Sequence, residues 1–376
     1  MYRLQTRIGL HRFTMRTVIG LSLLWYLPVS AQDASTADSQ IEKGRALYAE
    51  ANNYLMTMPA RALNTLQNNL PFLQYLSPEE QFDWYFATYR AAKAMDKSAI
   101  ATQALESLVE YDVNQFRAHK QVSLLSALGI YFREHQAFTL AGRVFQCAIS
   151  RSVTIDQKLA LSVSLALIFR FQADYESATT MYEAVIRKAK QVGATIHQAN
   201  GNNNLGVVLL MQGEPLAAAP HFAEALEYNQ LAGRRSAMTN SGINLLLSYL
   251  LSGQKERYLR LDTRVAHMIK GSTNQSKQAY YAALQLLNQA SQQGGADEKM
   301  QADFLHNFAN IDDYGIQTIL ARIAPQFGMV GDLPVFMPEK PLPALIDWFE
   351  AQAICQQVGK ERLSAQQLAA DLLATR

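Results

Sequence analysis

Apolar and small residues return along this chain on a step of about 40 residues, as Leu165, Leu205 and Leu245 show. The clearest unit reads Asn204-Leu205-Gly206-Val207-Val208-Leu209, followed by Gly213, Ala218, Phe222 and Ala225. Leu205 and Leu209 are spaced i, i+4, and Ala218, Phe222 and Ala225 are spaced i, i+4, i+7. Each set predicts a helix with one stripe to bury. Gly213 falls between them, where a turn must reverse the chain. Small Ala218 and Ala225 would let the two helices approach, with Phe222 filling the space between.

The same slots are filled one step upstream by Leu165, Ala166, Phe169, Ala173, Ala178, Tyr182 and Val185. One step downstream they hold Leu245, Leu246, Tyr249, Gly253, Tyr258, Asp262 and Val265. A step of 37 leads back to Leu128, Gly129, Phe132, Ala141, Phe145 and Ala148. The outer units are weaker: Ala101, Leu105 and Leu108 survive in one, Ala62 and Leu66 in the first. Degenerate end units are expected where a stack of repeats meets water. A constant step of this kind argues against a generic helical bundle.

The Leu-small-x-x-large unit, the small turn residue and the Ala–aromatic–Ala second helix together resemble the tetratricopeptide repeat, over roughly residues 40 to 290. The resemblance implies an all-α fold, a right-handed α-solenoid of antiparallel helix pairs, whose first helices line a concave face. The step exceeds the roughly 34 residues usual for that family. Extra helical turns over 187–196 and 226–239 account for it.

Beyond residue 290 the period fails at Gln292-Gln293-Gly294-Gly295. Helices are predicted over 297–309, 315–324, 345–358 and 364–374, the last with Ser364 as N-cap. Pro334, Pro338, Pro341 and Pro343 exclude a helix between them. The expected organisation is a signal peptide (1–31), a repeat domain (32–290) and a helical C-terminal extension (291–376) that caps the solenoid.

Residues 1–31 carry Arg3, Arg7, Arg12 and Arg16 and no acidic residue, then an apolar run from Val18 to Leu27 and the exit Val29-Ser30-Ala31. That order is a secretory signal with cleavage after Ala31. The stretch from Val18 to Ala31 falls short of the ~20 residues a span needs. Met15 is an alternative start. A periplasmic or secreted chain with no stable membrane span after cleavage is expected. Once this segment is removed, Lys+Arg falls from 34 to 30 against 32 Asp+Glu. The formal charge moves from +2 to −2, and the compositional case for nucleic acid disappears.

Candidate chemistry is sparse. The sequence contains no G-x-x-x-x-G-K-[ST], G-x-G-x-x-G or G-x-S-x-G motif. Its seven histidines are scattered without metal-ligand spacing, so no cofactor, metal or catalytic residue is expected. Asp312 and Asp313 could pair as carboxylates, with His306 nearby, in an enzyme site between solenoid and tail; capping of the next helix is the competing role. Cys147 and Cys355 could form a disulfide in an oxidising compartment, although nothing in the sequence brings them together.

The solenoid offers a surface instead. Asn200 and Asn240 share one slot and Asn204 and Asn244 another, with Asn203 beside them. The Asn-Asn-Leu-Gly start of the helix resembles that of peptide-binding tetratricopeptide proteins with longer repeats. An asparagine both donates and accepts, so such a ladder can bind the backbone of an extended peptide, or can hold neighbouring helices together. Lys93, Arg133 and Arg170 form a basic row at equivalent first-helix slots and would suit an acidic or C-terminal carboxylate end. The expected function is a non-catalytic scaffold for a protein or peptide partner in the bacterial envelope, with a periplasmic sensor unit as the alternative. Oligomeric state is left open.

Overall fold

Residues 31–272, 274–329, 333, 339–353, 355–356 and 364–375 are described by the computed structural model, except that the side chains of 31–36 are not. The expected signal peptide therefore lies outside the described residues but for Ala31, and the first helix begins at Ala31. Helices α1 (Ala31–Tyr54) and α2 (Pro59–Asn68) open the chain. Five antiparallel pairs follow: α3 (Pro78–Ala94) with α4 (Ser98–Val109), α5 (Ala118–Glu134) with α6 (Phe138–Arg151), α7 (Ile155–Phe171) with α8 (Tyr175–Gln191), α9 (Thr195–Gln212) with α10 (Pro215–Leu231), and α11 (Arg235–Leu251) with α12 (Lys255–Lys270). Then come α13 (Gln275–Gln293), α14 (Glu298–Ala309), α15 (Tyr314–Ile323), α16 (Pro343–Glu350) and α17 (Ala365–Ala374). The result is a helical solenoid, and the single short step of 37 falls between α5 and α7, where the sequence pattern has it.

The period is written into the backbone as well. The turns from first to second helix place Asp96, Gln136, Ala173, Gly213 and Gly253 in the left-handed region, with φ between 53° and 83°. After each, the next amide reaches back to a carbonyl of the last helical turn: Ala137 to Phe132, Asp174 to Phe169, Glu214 to Leu209, Gln254 to Tyr249, at 2.8–2.9 Å. This Schellman closure satisfies carbonyls that a helix end leaves unpaired. Gly193 and Gly233 close α8 and α10 in the same way. The repeat step thus comes from first and second helices that are both long, 17 or 18 residues from α7 to α11, with α8 and α10 running on to Gln191 and Leu231. The step of 37 follows from the shorter α6, 14 residues. Residues 192–194 and 232–234, read above as helix, are also turns.

Within a pair the helices nearly touch. A Cβ added at Gly129 would lie 2.6 Å from the Phe145 ring, and one at Gly206 would lie 2.7 Å from the Phe222 ring. Both rings are fully buried. The Leu-Gly dipeptide therefore marks where an aromatic ring rests on helix backbone.

The C-terminal extension divides in two. α14 and α15 continue the core formed by α9–α13, whereas α16 and α17 return to the core of α1–α9 and rest on second helices: α16 on α4, and α17 on α8. The helix expected over 345–358 begins at Pro343 and ends at Glu350. Cys147 on α6 and Cys355 form a disulfide between positions 208 apart in sequence.

Alanine in the left-handed region is strained, so Ala173→Gly should raise unfolding stability by about 1 kcal/mol. Gly206→Ala, which drives a methyl into Phe222, should lower it by about 1–3 kcal/mol. Urea denaturation midpoints check both.

Candidate functional site

Successive first helices pack directly on one another, α5 on α7, α7 on α9, α9 on α11 and α11 on α13. They form the inner row, and the second helices fan outward, so the inner face is a groove floored by first-helix side chains.

Several of the asparagines expected on that face are bonded between helices. Arg234, in the turn before α11, donates one Nη1 to Asn200 Oδ1 at 3.0 Å and to Asn229 Oδ1 at 3.3 Å. Asn229 Nδ2 donates to Ser241 Oγ at 3.3 Å, and Ser241 Oγ donates to Asn203 Oδ1 at 3.1 Å. Asn203 Oδ1 also accepts from Asn244 Nδ2 at 3.1 Å, and Asn244 Oδ1 accepts from Tyr280 OH at 3.1 Å. One network thereby runs from α9 through α10 and α11 to α13. Burial raises the Tyr280 phenol far above its ordinary value, which keeps it a neutral donor. Polar chains that run unbroken between helices in this way help to fix helix register.

Asn204 and Asn240 make no side-chain bond to another helix among the described residues. Asn204 donates only to the Asn200 carbonyl of its own helix, at 2.9 Å. Asn240, half-buried on α11, has no side-chain partner among the described residues. Of the two roles open to the ladder, Asn200, Asn203 and Asn244 hold helices together, and Asn204 and Asn240 present amides.

The basic row divides similarly. Lys93 Nζ pairs with both Glu134 carboxylate oxygens at 2.7 and 2.8 Å, and Arg133 stands 4.0 Å from the same carboxylate. Arg170 has no acidic partner within ion-pair distance among the described residues; its guanidinium lies over the Phe171 ring, 5.0 Å from the centroid. Its Nε is buried and unbonded, as is the hydroxyl of fully buried Tyr182 on α8. Burial raises the Tyr182 phenol, against an opposing pull from the Arg170 and Arg133 charges. Phe171 also meets Tyr314 at the start of α15, ring centroids 5.7 Å apart. A Cβ added at the next residue, Gly315, would lie 2.9 Å from Arg170 Nη2. The first turn of α15 therefore reaches the end of the α7 groove wall, and Arg170 borders it.

Asp313 caps α15, accepting from the Ile316 amide at 3.0 Å. The Asp312 amide donates to Ser276 Oγ at 3.0 Å, and His306 is exposed on α14. The three have separate local surroundings rather than one shared pocket. No group of three His, Cys, Asp or Glu among the described residues could hold a metal ion, and no described helix is long and apolar enough to cross a membrane.

Arg234, Ser241, Tyr280 and Tyr182 belong to this region and were not singled out from the sequence. Tyr182 left a trace there, as a hydroxyl in the slot that Phe145 and Phe222 occupy.

No protein-family model matches the chain, and no curated protein does. Among solved structures it is similar to a Rap protein complexed with competence and sporulation factor, at 11% identity and a TM-score of 0.54, covering 88% of this chain and 91% of that one. BtubC (BKLC) from P. vanneervenii matches at 15% identity and a TM-score of 0.42, over 63% of this chain and 93% of that one, a likeness too loose to carry weight. The Rap likeness shows a shared helical fold, and it fits a tetratricopeptide-like repeat architecture.

Asn244→Ala strands the buried Tyr280 hydroxyl, while Asn203 Oδ1 keeps its bond from Ser241, and should cost about 1–3 kcal/mol. Asn204→Ala should stay within about 0.5 kcal/mol of the parent. Chemical denaturation of the two variants separates the bonded asparagines from the presenting ones.

Proposed function

We propose that this chain is a non-catalytic scaffold, exported to the bacterial envelope, that holds an extended peptide or a segment of a partner protein in its inner groove. The observation that carries this reading is the unspent polar capacity of three first-helix side chains. Arg170 has no acidic partner within ion-pair distance among the described residues, Asn240 has no side-chain partner among them, and Asn204 is bonded only within its helix. Charge-assisted bonds from a guanidinium favour a carboxylate, and side-chain amides spaced by one repeat suit a peptide backbone. The Arg133 and Arg170 end would take the acidic or C-terminal end of the ligand. The structurally similar Rap protein is complexed with competence and sporulation factor, which supports binding as the use of such a fold.

Export is supported by the basic-then-apolar order of residues 1–31. The Cys147–Cys355 disulfide supports it independently, since such bonds persist in oxidising compartments and are rare in a reducing cytosol.

A displayed library of random peptides with free C-termini, selected against residues 32–376, tests the reading. Enriched peptides should lose about tenfold or more in affinity (about 1.4 kcal/mol) on C-terminal amidation and in the Arg133→Gln/Arg170→Gln variant. Enriched peptides indifferent to both changes, or no enrichment, would remove the groove from the account.

A further inference from the structure

We infer that residues 342–353, 355–356 and 364–375 form a redox-gated latch on the outer face, closed over an apolar strip of the solenoid by the Cys147–Cys355 disulfide and opened by a dithiol reductant. The latch packs mainly on the second helices α4, α6 and α8, with single bonds to α5 and α7 of the first helices, and stands whether or not the inner groove binds a peptide.

Its path is fixed at several independent points. The Leu342 amide donates to Tyr131 OH on α5 at 2.9 Å. Arg143 of α6 grips Glu350 of α16 through two bonds, 2.6 and 2.9 Å, and its guanidinium lies 5.4 Å from the Phe349 ring centroid. The disulfide follows on the same outer helix, with its Cα atoms 5.3 Å apart. α17 then lies on α8 with Ala365, Leu368, Ala369 and Leu372 buried. Their i, i+3, i+4, i+7 spacing is a single apolar stripe. Lys188 of α8 is only 5% exposed, and its ammonium donates to the carbonyls of Leu373 and Thr375. Lys158 of α7 donates to Thr375 Oγ1 at 3.2 Å. A buried ammonium thus caps the C-terminal end of α17, where carbonyls lack partners and the helix dipole is negative.

This attachment can open without dismantling what lies beneath it. The latch adds Leu345, Phe349, Leu368 and Leu372 to a core that the helices from α1 to α9 build from many more residues of their own. α17 is a helix of ten residues, below the length at which an isolated helix is stable in water, so it needs its dock. The covalent tie between Cys147 and Cys355 holds the latch at high effective concentration. Both sulfurs are covered, Cys147 at 0% and Cys355 at 4% exposure, so a reductant reaches them as the latch lifts. One thiolate of a dithiol attacks a cysteine sulfur and breaks the S–S bond, giving a mixed disulfide and one cysteine thiolate. The second thiol of the reductant then displaces the other cysteine. Two electrons pass to the protein, the dithiol becomes a disulfide, and its two protons end on Cys147 and Cys355.

Hydrogen exchange on residues 32–376, oxidised and after treatment with dithiothreitol, tests the latch. Amides of 343–350 and 365–374 should exchange at least about tenfold faster in the reduced protein, while those of α9–α12 keep their protection. The dye 1-anilinonaphthalene-8-sulfonate should bind the reduced form more strongly as the apolar strip is bared. Cys355→Ser should reproduce both effects without reductant, and reduction of the folded parent serves if that variant does not fold. Unchanged exchange over 343–374 after complete reduction overturns the proposal. Protection lost evenly from α3 to α12 overturns it too, because the bond would then staple the whole fold.

Discussion

Everything in this molecule rests on how closely two helices of a pair approach. At Gly129 and Gly206 a phenylalanine ring from the second helix lies on the backbone of the first, with no room for even a methyl group. That contact sets the distance in the α5–α6 and α9–α10 pairs, while α7 and α11 carry Ala166 and Leu246 at the same slot. The left-handed turn residue, present in every pair from α3 to α12, sets the angle at which the chain returns. A constant step makes each pair present the same face to the next, so stacking follows and a groove follows from stacking. Where the ring is Tyr182 instead, the packing is kept but a hydroxyl is carried into the interior near two arginines. The same slot that builds the solenoid therefore also introduces a polar group beside the groove.

Polar groups on the inner face are divided between two tasks. Bonds from Arg234 to Tyr280, through Asn200, Asn229, Ser241, Asn203 and Asn244, lace three successive first helices. They help to hold the floor of the groove in one register, because they run unbroken between helices. Asn204, Asn240 and Arg170 make no side-chain bond to another helix among the described residues. On the proposed function, a groove whose floor is braced in this way would meet an extended ligand without first having to order itself, which lowers the entropic cost of binding.

The sequence made the repeat legible because the repeat is local. Leu-Gly, the turn residue and the Ala–aromatic–Ala stripe all act within one pair, and every helix pair from α5 to α12 stands where the repeat steps place it. Caps such as Asp313 and Ser364 are likewise decided within the first turn of their helices. The helix boundaries near 192 and 232 were misread because Gly193 and Gly233 end helices through a backbone conformation rather than through a change in polarity. What stayed hidden depends on distant segments meeting. The disulfide joins positions 208 apart, Arg170 borders α15, and the division of asparagines depends on which side chains stand opposite them. No periodicity encodes those encounters.

On the proposed function, the inner groove is the surface that meets a partner. A photoreactive p-benzoylphenylalanine placed at Asn240, on α11 in the groove, and separately at Leu259, exposed on the outer helix α12, addresses this directly in cells. The groove position should yield a discrete crosslinked adduct and the outer position none. An adduct from position 259 with none from position 240 would contradict the account.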